Sequence, residues 1–292
     1  MVYKIQNNSM SVSVSSLGAE LQSIKAADGT EYLWQGDSTY WADRSPVLFP
    51  YIGRMINKQY SYNDHVYPMD IHGFALSTEF KLIRQTDTML VFSMASDEDT
   101  KAQYPWEFSF TVTYTISGCR LDVIFTVENK DTTDMLFAVG GHPGFNVPLS
   151  DNLSFEDYRI RFPERCNPDQ IIFSKECFVQ PFTKKYTLDS TGSIPLRHDL
   201  FNNDAIVLQS TPKKVILESE KDKHAVIVTF PDMNYIGFWH ETYMEAPYVC
   251  IEPWSSLPSA CGSETRWECQ SDLLLLEPKK VYNNRWSIEL KY

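Results

Sequence analysis

Residues 108–116 read FSFTVTYTI, and large apolar residues alternate with small polar ones along the whole stretch. The alternation has a period of two, which is the period of a β-strand with one buried face. The turn SGC follows at 117–119, and residues 121–129, LDVIFTVEN, alternate again. These two runs predict an antiparallel hairpin of two half-buried strands.

Short runs of the same kind recur along the chain, with clusters of Asn, Asp, Gly, Ser and Pro between them. They are YKIQN, SVSVSS, EFKLIRQ, MLVFSMAS, AIVLQS, KVILES, HAVIVTF, YIGFWH and WSIELKY. The sequence has no stretch with three turns of helical periodicity. Many short strands with regular turn signals predict an all-β fold, here a large antiparallel β-sandwich. Because the sequence has no internal repeat and no linker-like segment, we expect residues 1–292 to form a single domain.

The composition limits the class of protein. Of the 292 residues, 43% are hydrophobic and 22% are charged, which is typical of a globular chain with a sizeable core. The net charge of -12 argues against a nucleic-acid partner, because an acidic surface repels phosphates. The N-terminus lacks the features of a signal peptide, and the apolar run LLLLEP is too short to cross a bilayer. We therefore expect a cytoplasmic protein without a membrane partner.

No motif for a metal or a cofactor is present in the sequence. The six cysteines include no C-x-x-C pair, and without an export signal they are expected to be reduced, buried or half-buried thiols. The sequence has no H-x-H, no H-E-x-x-H and no calcium-type loop. It also has no P-loop and no G-x-S-x-G motif. We expect neither a metal nor an organic cofactor.

Two titratable residues lie in unusual sequence surroundings. His142 lies in GGHPGFNVP after a strand-like run, among residues that permit unusual backbone dihedral angles, and imidazole is suited to proton transfer near neutral pH. Glu252 ends an apolar strand in PYVCIEPW, where partial burial raises the pKa of a carboxyl and makes it a better base. A satisfied loop histidine and an ion-paired glutamate remain the structural alternatives.

Weaker signals mark three further polar residues. Arg54 follows an apolar run and a glycine, and a guanidinium there suits recognition of hydroxyls or anions. His72, in DIHGFA, also precedes a glycine and an aromatic residue. Asp204 opens a strand after an Asn-Asn turn, where a capping role is the alternative. Structural or solvated roles are expected for the remaining histidines, which are His65, His198, His224 and His240.

Taken in order, GRM, IHGFA, GGHPGFNVP, NDAIVL and IEPW resemble the aldose 1-epimerase (galactose mutarotase) superfamily, in its mutarotase-related LacX-like branch. The resemblance covers essentially the whole chain. It implies the galactose mutarotase-like supersandwich, a large antiparallel β-sandwich. It also implies an isomerase that interconverts the α and β anomers of a hexose, with no metal or organic cofactor.

The resemblance implies roles for five residues. The general acid is His142 and the general base is Glu252, while Arg54, His72 and Asp204 bind the sugar. Asp199, which is close in sequence, is the alternative to Asp204. A small-molecule sugar is the expected partner, and the chain is expected to be a monomer or a homodimer.

One position departs from relatives that act on hexose 6-phosphates. Those proteins often read HGFAR, whereas this chain reads HGFAL and has Leu76 in the arginine position. A phosphate needs a cation, so the sequence favours a neutral hexose as substrate. A hexose-6-phosphate 1-epimerase and a carbohydrate-binding or sensing protein without turnover remain the alternatives.

Overall fold

The computed structural model describes residues 1–262 and 264–292 of the chain. The predicted hairpin is present as strands β9 (Phe108–Ser117) and β10 (Arg120–Asn129), paired antiparallel along their full length. Buried and half-buried residues alternate strictly along β9, as the sequence predicts. The hairpin lies inside a sheet because β10 also pairs with β24 (Val281–Lys291) and β9 pairs with β8 (Met89–Ala95).

The remaining strands are short. Before β8 they are β1 (Val2–Gln6), β2 (Met10–Ser15), β3 (Leu21–Ala26), β4 (Val47–Leu48), β5 (Gln59–Tyr62), β6 (His65–Pro68) and β7 (Lys81–Gln85). Between β10 and β24 they are β11 (Met135–Phe137), β12 (Gly140–Gly141), β13 (Gly144–Asn146), β14 (Arg159–Arg161), β15 (Asp169–Phe173), β16 (Val179–Lys185), β17 (Ser193–Pro195), β18 (Ile206–Gln209), β19 (Lys214–Glu218), β20 (Ala225–Thr229), β21 (Tyr235–Trp239), β22 (Tyr248–Trp254) and β23 (Leu274–Leu276).

Helical structure is scarce in the described part of the chain. The α-helix α1 has four residues, Glu98–Lys101, and an Asp97–Thr100 capping box closes its N-terminus. Short 3-10 turns lie at Ile56–Lys58, Ala75–Ser77, Phe155–Asp157, His198–Phe201 and Trp267–Cys269. Among the described residues, no helix is long and apolar enough to span a membrane.

Two large antiparallel sheets form the body of the fold. One has nine strands in the order β17-β14-β19-β20-β24-β10-β9-β8-β7. The other has eight strands, in the order β16-β15-β18-β21-β22-β12-β4, with β13 added beside β22. Smaller sheets, β1-β2-β3, β5-β6 and β11-β23, complete it. The predicted all-β antiparallel sandwich is therefore confirmed.

Apolar side chains from both large sheets fill the space between them. Phe49, next to β4, stacks on Phe110 of β9 with ring centroids 4.4 Å apart. Trp286 of β24 lies under β12, close to Gly141. Because side chains alternate across a strand, Val249 and Ile251 of β22 face this main core. Their neighbours along the strand face the other side of the sheet. That outer face of the eight-stranded sheet carries the candidate site.

Candidate active site

A cavity of about 390 Å³ opens on the outer face of the eight-stranded sheet. All five residues predicted from the sequence contribute to its wall: Arg54, His72, His142, Asp204 and Glu252. Aromatic, acidic and aliphatic residues and a cysteine share the wall with them. They include Trp41, Asp43, Leu76, Phe173, Cys177, Trp239, Glu241 and Trp254.

The segment around His142 is held between neighbouring strands. The backbone N–H of His142 donates to the Pro46 carbonyl (3.1 Å), and that of Gly144 donates to the Arg44 carbonyl (2.9 Å). The glycines were expected to supply unusual dihedral angles, but neither Gly141 nor Gly144 has a positive φ. They supply space instead, since a Cβ on Gly141 would lie 2.7 Å from the Trp286 ring.

Glu252 lies inside β22 rather than at its end. The strand continues through Pro253 to Trp254, and the carboxylate side chain is only 1% exposed. The expectation of a partly buried strand-end glutamate is therefore wrong in both respects. Alternation along β22 puts Glu252 on the same face as Cys250, and Gly237 of β21 lies opposite it in register.

The strands bring His142 and Glu252 together at the cavity floor. Nε2 of His142 lies 3.1 Å from Oε2 of Glu252. The angle between them is not that of a hydrogen bond, and neither Glu252 oxygen has a hydrogen-bond partner among the described residues. Buried polar atoms are normally paired, so unpaired carboxylate oxygens at a cavity floor indicate a place for a polar ligand.

Burial shifts both pKa values toward the neutral forms. Desolvation lowers the pKa of His142 to about 4, against a weaker rise caused by the Asp204 charge. Desolvation also raises the pKa of Glu252 well above its usual range, and repulsion from Asp204 adds to this rise. Together the two shifts favour a protonated Glu252 beside an unprotonated His142. Attraction by the Asp204 carboxylate does not keep His142 charged, because desolvation outweighs it.

His72 is positioned as a neutral hydrogen-bond donor. Its Nδ1 accepts from the backbone N–H of Gly53 (3.1 Å), so the ring proton lies on Nε2. Desolvation, and then the neighbouring charges of His142 and Arg54, lower the pKa of His72 well below its usual range. The His72 and His142 rings meet edge to face with centroids 5.5 Å apart.

Arg54 and Asp204 line the mouth of the cavity with opposite charges. Arg54 is exposed, and Asp204 is half-buried with its Oδ1 accepting from the Ala205 N–H (2.8 Å). The alternative residue, Asp199, lies on the surface, 65% exposed and paired with Arg197 at 3.0 Å. Geometry thus favours Asp204 over Asp199 as the pocket carboxylate, and the roles of all five residues stay predictions.

Aromatic residues that the sequence reasoning missed form one wall of the cavity. The Trp41 ring lies 5.0 Å from His142 between centroids, and Trp239 approaches His142 at 5.7 Å. Trp239 ends a strand that the sequence predicts, yet nothing in the sequence indicates that it faces a cavity. Most tryptophans serve a core, so composition alone gave no signal for either residue.

The other histidines have structural environments, apart from His65, which is exposed on β6. His198 and His240 contact each other, with Nδ1 and Nε2 3.1 Å apart. His224 lies between two carboxylates, with Nδ1 2.7 Å from Asp222 and Nε2 3.1 Å from Asp28. None of these three lines the cavity described above.

His142, Cys250 and Glu252 place a nitrogen, a sulfur and an oxygen within 4.8 Å of one another. Burial raises the pKa of the Cys250 thiol well above its usual range, so the thiol stays protonated.

Comparison with known proteins agrees with this architecture. The sequence profile of the aldose 1-epimerase family matches residues 1–289. Protein LacX (plasmid) of Lactococcus lactis subsp. lactis is 31% identical over 269 residues, 89% of each chain. The structure of a galactose mutarotase related enzyme from Lactobacillus acidophilus superposes with a TM-score of 0.94 at 31% identity, covering 100% of this chain and 98% of the other. The structure of a galactose mutarotase-like protein from Lactobacillus casei ATCC 334 superposes with a TM-score of 0.94 at 30% identity, covering 99% of this chain and 100% of the other. The chain therefore belongs to the aldose 1-epimerase family of carbohydrate epimerases, in its LacX-like branch.

Proposed function

We propose that this protein is an aldose 1-epimerase that interconverts the α and β anomers of a free, neutral hexose. The observation that carries the proposal is the 3.1 Å approach of His142 Nε2 to Glu252 Oε2 at the floor of an open cavity. Mere binding of a sugar does not require an acid and a base that share one proton. One large hydrophobic cluster has members from Ile5 to Leu290, which supports one domain for the whole chain.

The reaction opens and recloses the sugar ring. Glu252 takes the proton of the C1 hydroxyl, the C1–O5 bond breaks, and O5 receives a proton from His142. The free aldehyde then rotates about the C1–C2 bond. Closure on its other face reverses both transfers, so the pair ends with the one proton it began with. Positioned proton transfers of this kind each contribute roughly 10²–10⁴-fold in rate.

Sugar binding moves the proton of the pair to its working position. By itself, burial favours the protonated form of Glu252. A hydroxyl that donates to Glu252 stabilises the carboxylate, and a ring oxygen that accepts from His142 stabilises the imidazolium. Both contacts favour the charged forms, a carboxylate on Glu252 and an imidazolium on His142, which are the base and the acid that ring opening needs.

The charges around the cavity favour a neutral sugar over a sugar phosphate. Arg54 is the single Lys or Arg among the described residues that line it, whereas Asp43, Asp204, Glu241 and Glu252 are all acidic. Leu76 lines the cavity where the phosphate-using relatives often have arginine. A phosphate would meet more negative than positive charge there.

The test is polarimetry of freshly dissolved α-D-glucose and α-D-galactose, and an enzyme-coupled anomer assay for the hexose 6-phosphates. We expect the wild type to accelerate relaxation of a free hexose, and His142→Ala and Glu252→Ala to leave only the spontaneous rate. If the wild type accelerates none of these sugars, the epimerase proposal is lost. If it acts on a 6-phosphate alone, the substrate class is wrong.

A further inference from the structure

Cys177 lines the same cavity as the acid–base pair and lies in the turn that joins β15 and β16. Its backbone N–H donates to the Ser174 carbonyl (3.0 Å), which closes the turn. Two residues later, the Val179 N–H donates to the Ser259 carbonyl (2.9 Å), which ties the turn to the segment after β22. The position of Cys177 is therefore fixed by the backbone on both sides.

The Cys177 thiol is in direct contact with Asp204. Sγ lies 2.6 Å from Oδ2 of Asp204, and the other carboxylate oxygen accepts from the Ala205 N–H. Burial, and then the neighbouring carboxylate, raise the pKa of Cys177 to about 11. The residue is therefore a protonated thiol at neutral pH, suited to donate a hydrogen bond and poorly suited to act as a nucleophile.

The backbones of Cys177 and Asp204 adopt an uncommon conformation. Both have positive φ values, 65° for Cys177 and 70° for Asp204. A left-handed conformation is unfavourable for residues other than glycine and persists where the surroundings impose it, often at ligand-binding sites. Two such residues in contact through their side chains indicate that the contact itself is maintained.

Two opposite charges, those of Arg54 and Asp204, act on the thiol. Arg54 and Asp204 line the same cavity, yet within the described residues no ion pair joins them. The Arg54 charge acts on the Cys177 thiol and opposes the rise of its pKa. A direct Arg54–Asp204 pair would commit both groups to each other and leave fewer hydrogen-bonding sites for sugar hydroxyls.

We propose that Cys177 is a positioning residue that holds Asp204 apart from Arg54 and fixes its carboxylate for the sugar hydroxyls. This inference rests on the proposed function. Cys177 touches Asp204 rather than the reacting atoms, so its loss should affect sugar binding more than the chemical step.

The experiment compares KM and kcat for anomerisation in Cys177→Ala, Cys177→Ser, Asp204→Asn and the double variant Cys177→Ala/Asp204→Asn. Loss of one hydrogen bond to a charged group predicts a rise in KM of about tenfold for Cys177→Ala with kcat changed less than about threefold. Serine keeps a donor and should restore KM to within about threefold of the wild type. Cys166→Ala, at a half-buried cysteine that does not line the cavity, is the matched control and should leave KM unchanged.

The double variant separates positioning from general damage to the fold. If Cys177 acts through Asp204, adding Cys177→Ala to Asp204→Asn raises KM no further. Additive effects, or a serine variant as impaired as the alanine variant, would overturn the inference. The wild type tests the proposed function separately: without turnover the same comparison is made on the Kd of α-D-glucose by calorimetry, and the inference falls if the wild type binds none.

Discussion

The backbone N–H of Ile251 donates a hydrogen bond to the carbonyl of Pro143, 3.1 Å away. Ile251 precedes Glu252 and Pro143 follows His142. This one hydrogen bond therefore joins the backbone next to Glu252 to the backbone next to His142. β13 continues the link by pairing with β22 in the same sheet. The separation of the two side chains is therefore set by the sheet and not by a mobile loop, which suits a reaction that needs fixed proton donors and acceptors.

The opposite shifts of the two pKa values predict a broad pH optimum. Below the lowered pKa of His142, about 4, both groups are protonated and no base remains. Above the raised pKa of Glu252 both are deprotonated and no acid remains. Between these limits the pair holds one proton, so kcat/KM, corrected for spontaneous mutarotation, should fall on the acid side near pH 4 and on the alkaline side well above the ordinary carboxyl value of 4.5. An inflection near 6.5, the ordinary value for imidazole, would contradict the shared-proton account.

Leu76→Arg should change the preference between sugars. Among the described residues of the cavity wall, Arg54 is the only Lys or Arg, so the new guanidinium would add a second cation. The ratio of kcat/KM for hexose 6-phosphate to that for free hexose should rise by about tenfold or more, because a charge-assisted bond to phosphate is gained. Leu76→Gln, similar in length but uncharged, is the control. An equal change in both variants would mean that charge is not responsible.

Trp41 should support both the sugar and His142. Its ring lies 5.0 Å from His142 and forms part of the cavity wall. Trp41→Ala should lower kcat/KM by about tenfold, since an aromatic contact contributes about 0.5–1.5 kcal/mol and the imidazole also loses its support. Trp41→Phe should keep most of the activity. Activity in Trp41→Ala equal to that of the wild type would exclude Trp41 from the site.

Gly141 should tolerate a methyl group only if Trp286 is made smaller. A Cβ at Gly141 would lie 2.7 Å from the Trp286 ring, so Gly141→Ala should reduce the free energy of unfolding by about 2 kcal/mol. It should also lower activity, because His142 is the next residue. Urea denaturation measures the first effect. Trp286→Phe should reduce the free energy of unfolding less in the Gly141→Ala protein than in the wild type. Strictly additive losses would argue against a clash between the new methyl group and the Trp286 ring.

Asp222 should stabilise the fold in a pH-dependent way. Hydrogen bonds from Tyr158 (2.6 Å) and Ser150 (2.8 Å), together with His224, lower the pKa of Asp222 to about 2, although desolvation opposes the shift. A depressed folded pKa gives stability that is present above the unfolded value of 3.8 and lost as pH falls toward 2. Asp222→Asn should therefore cost about 2 kcal/mol at pH 7 in urea denaturation, and less at pH 3.

Asp151→Asn is the control for that measurement, because Asp151 is exposed and accepts no hydrogen bond among the described residues. It should change the stability by less than about 0.5 kcal/mol at both pH values. An Asp222→Asn deficit that stays constant with pH would point to lost packing rather than to the carboxylate charge.

Much of the fold was predictable because it rests on local periodicity. The β9–β10 hairpin alternates without interruption, so its strands, register and buried face follow from the sequence alone. Strands of two or three residues, such as β12 and β13, were not predictable, because they exist only through pairing with β22 and β4. Tertiary contacts form these elements, and a local pattern cannot contain them.

The candidate site, like the fold, was predictable only in part. Local sequence singled out His142, Glu252, Arg54, His72 and Asp204, and the resemblance to a family supplied their predicted roles. The structure brings all five to one cavity. The sequence did not indicate Trp41, Trp239 or Cys177 as site residues, because residues of these types normally pack in a core. The protonation of His142 and Glu252 could not be predicted from the sequence either. It depends on the burial of both side chains, which is complete only when both sheets are assembled.

The most direct test of the central claim is the rate of mutarotation of α-D-glucose with His142→Asn, Glu252→Gln and the double variant, all folded as judged by circular dichroism. If the pair opens the ring as a unit, each single variant loses about 10³-fold or more in kcat/KM and the double variant loses little beyond that, because residues that act together are not additive. A single variant that keeps the wild-type rate, or a double variant whose loss is the product of the two single losses, would contradict the account.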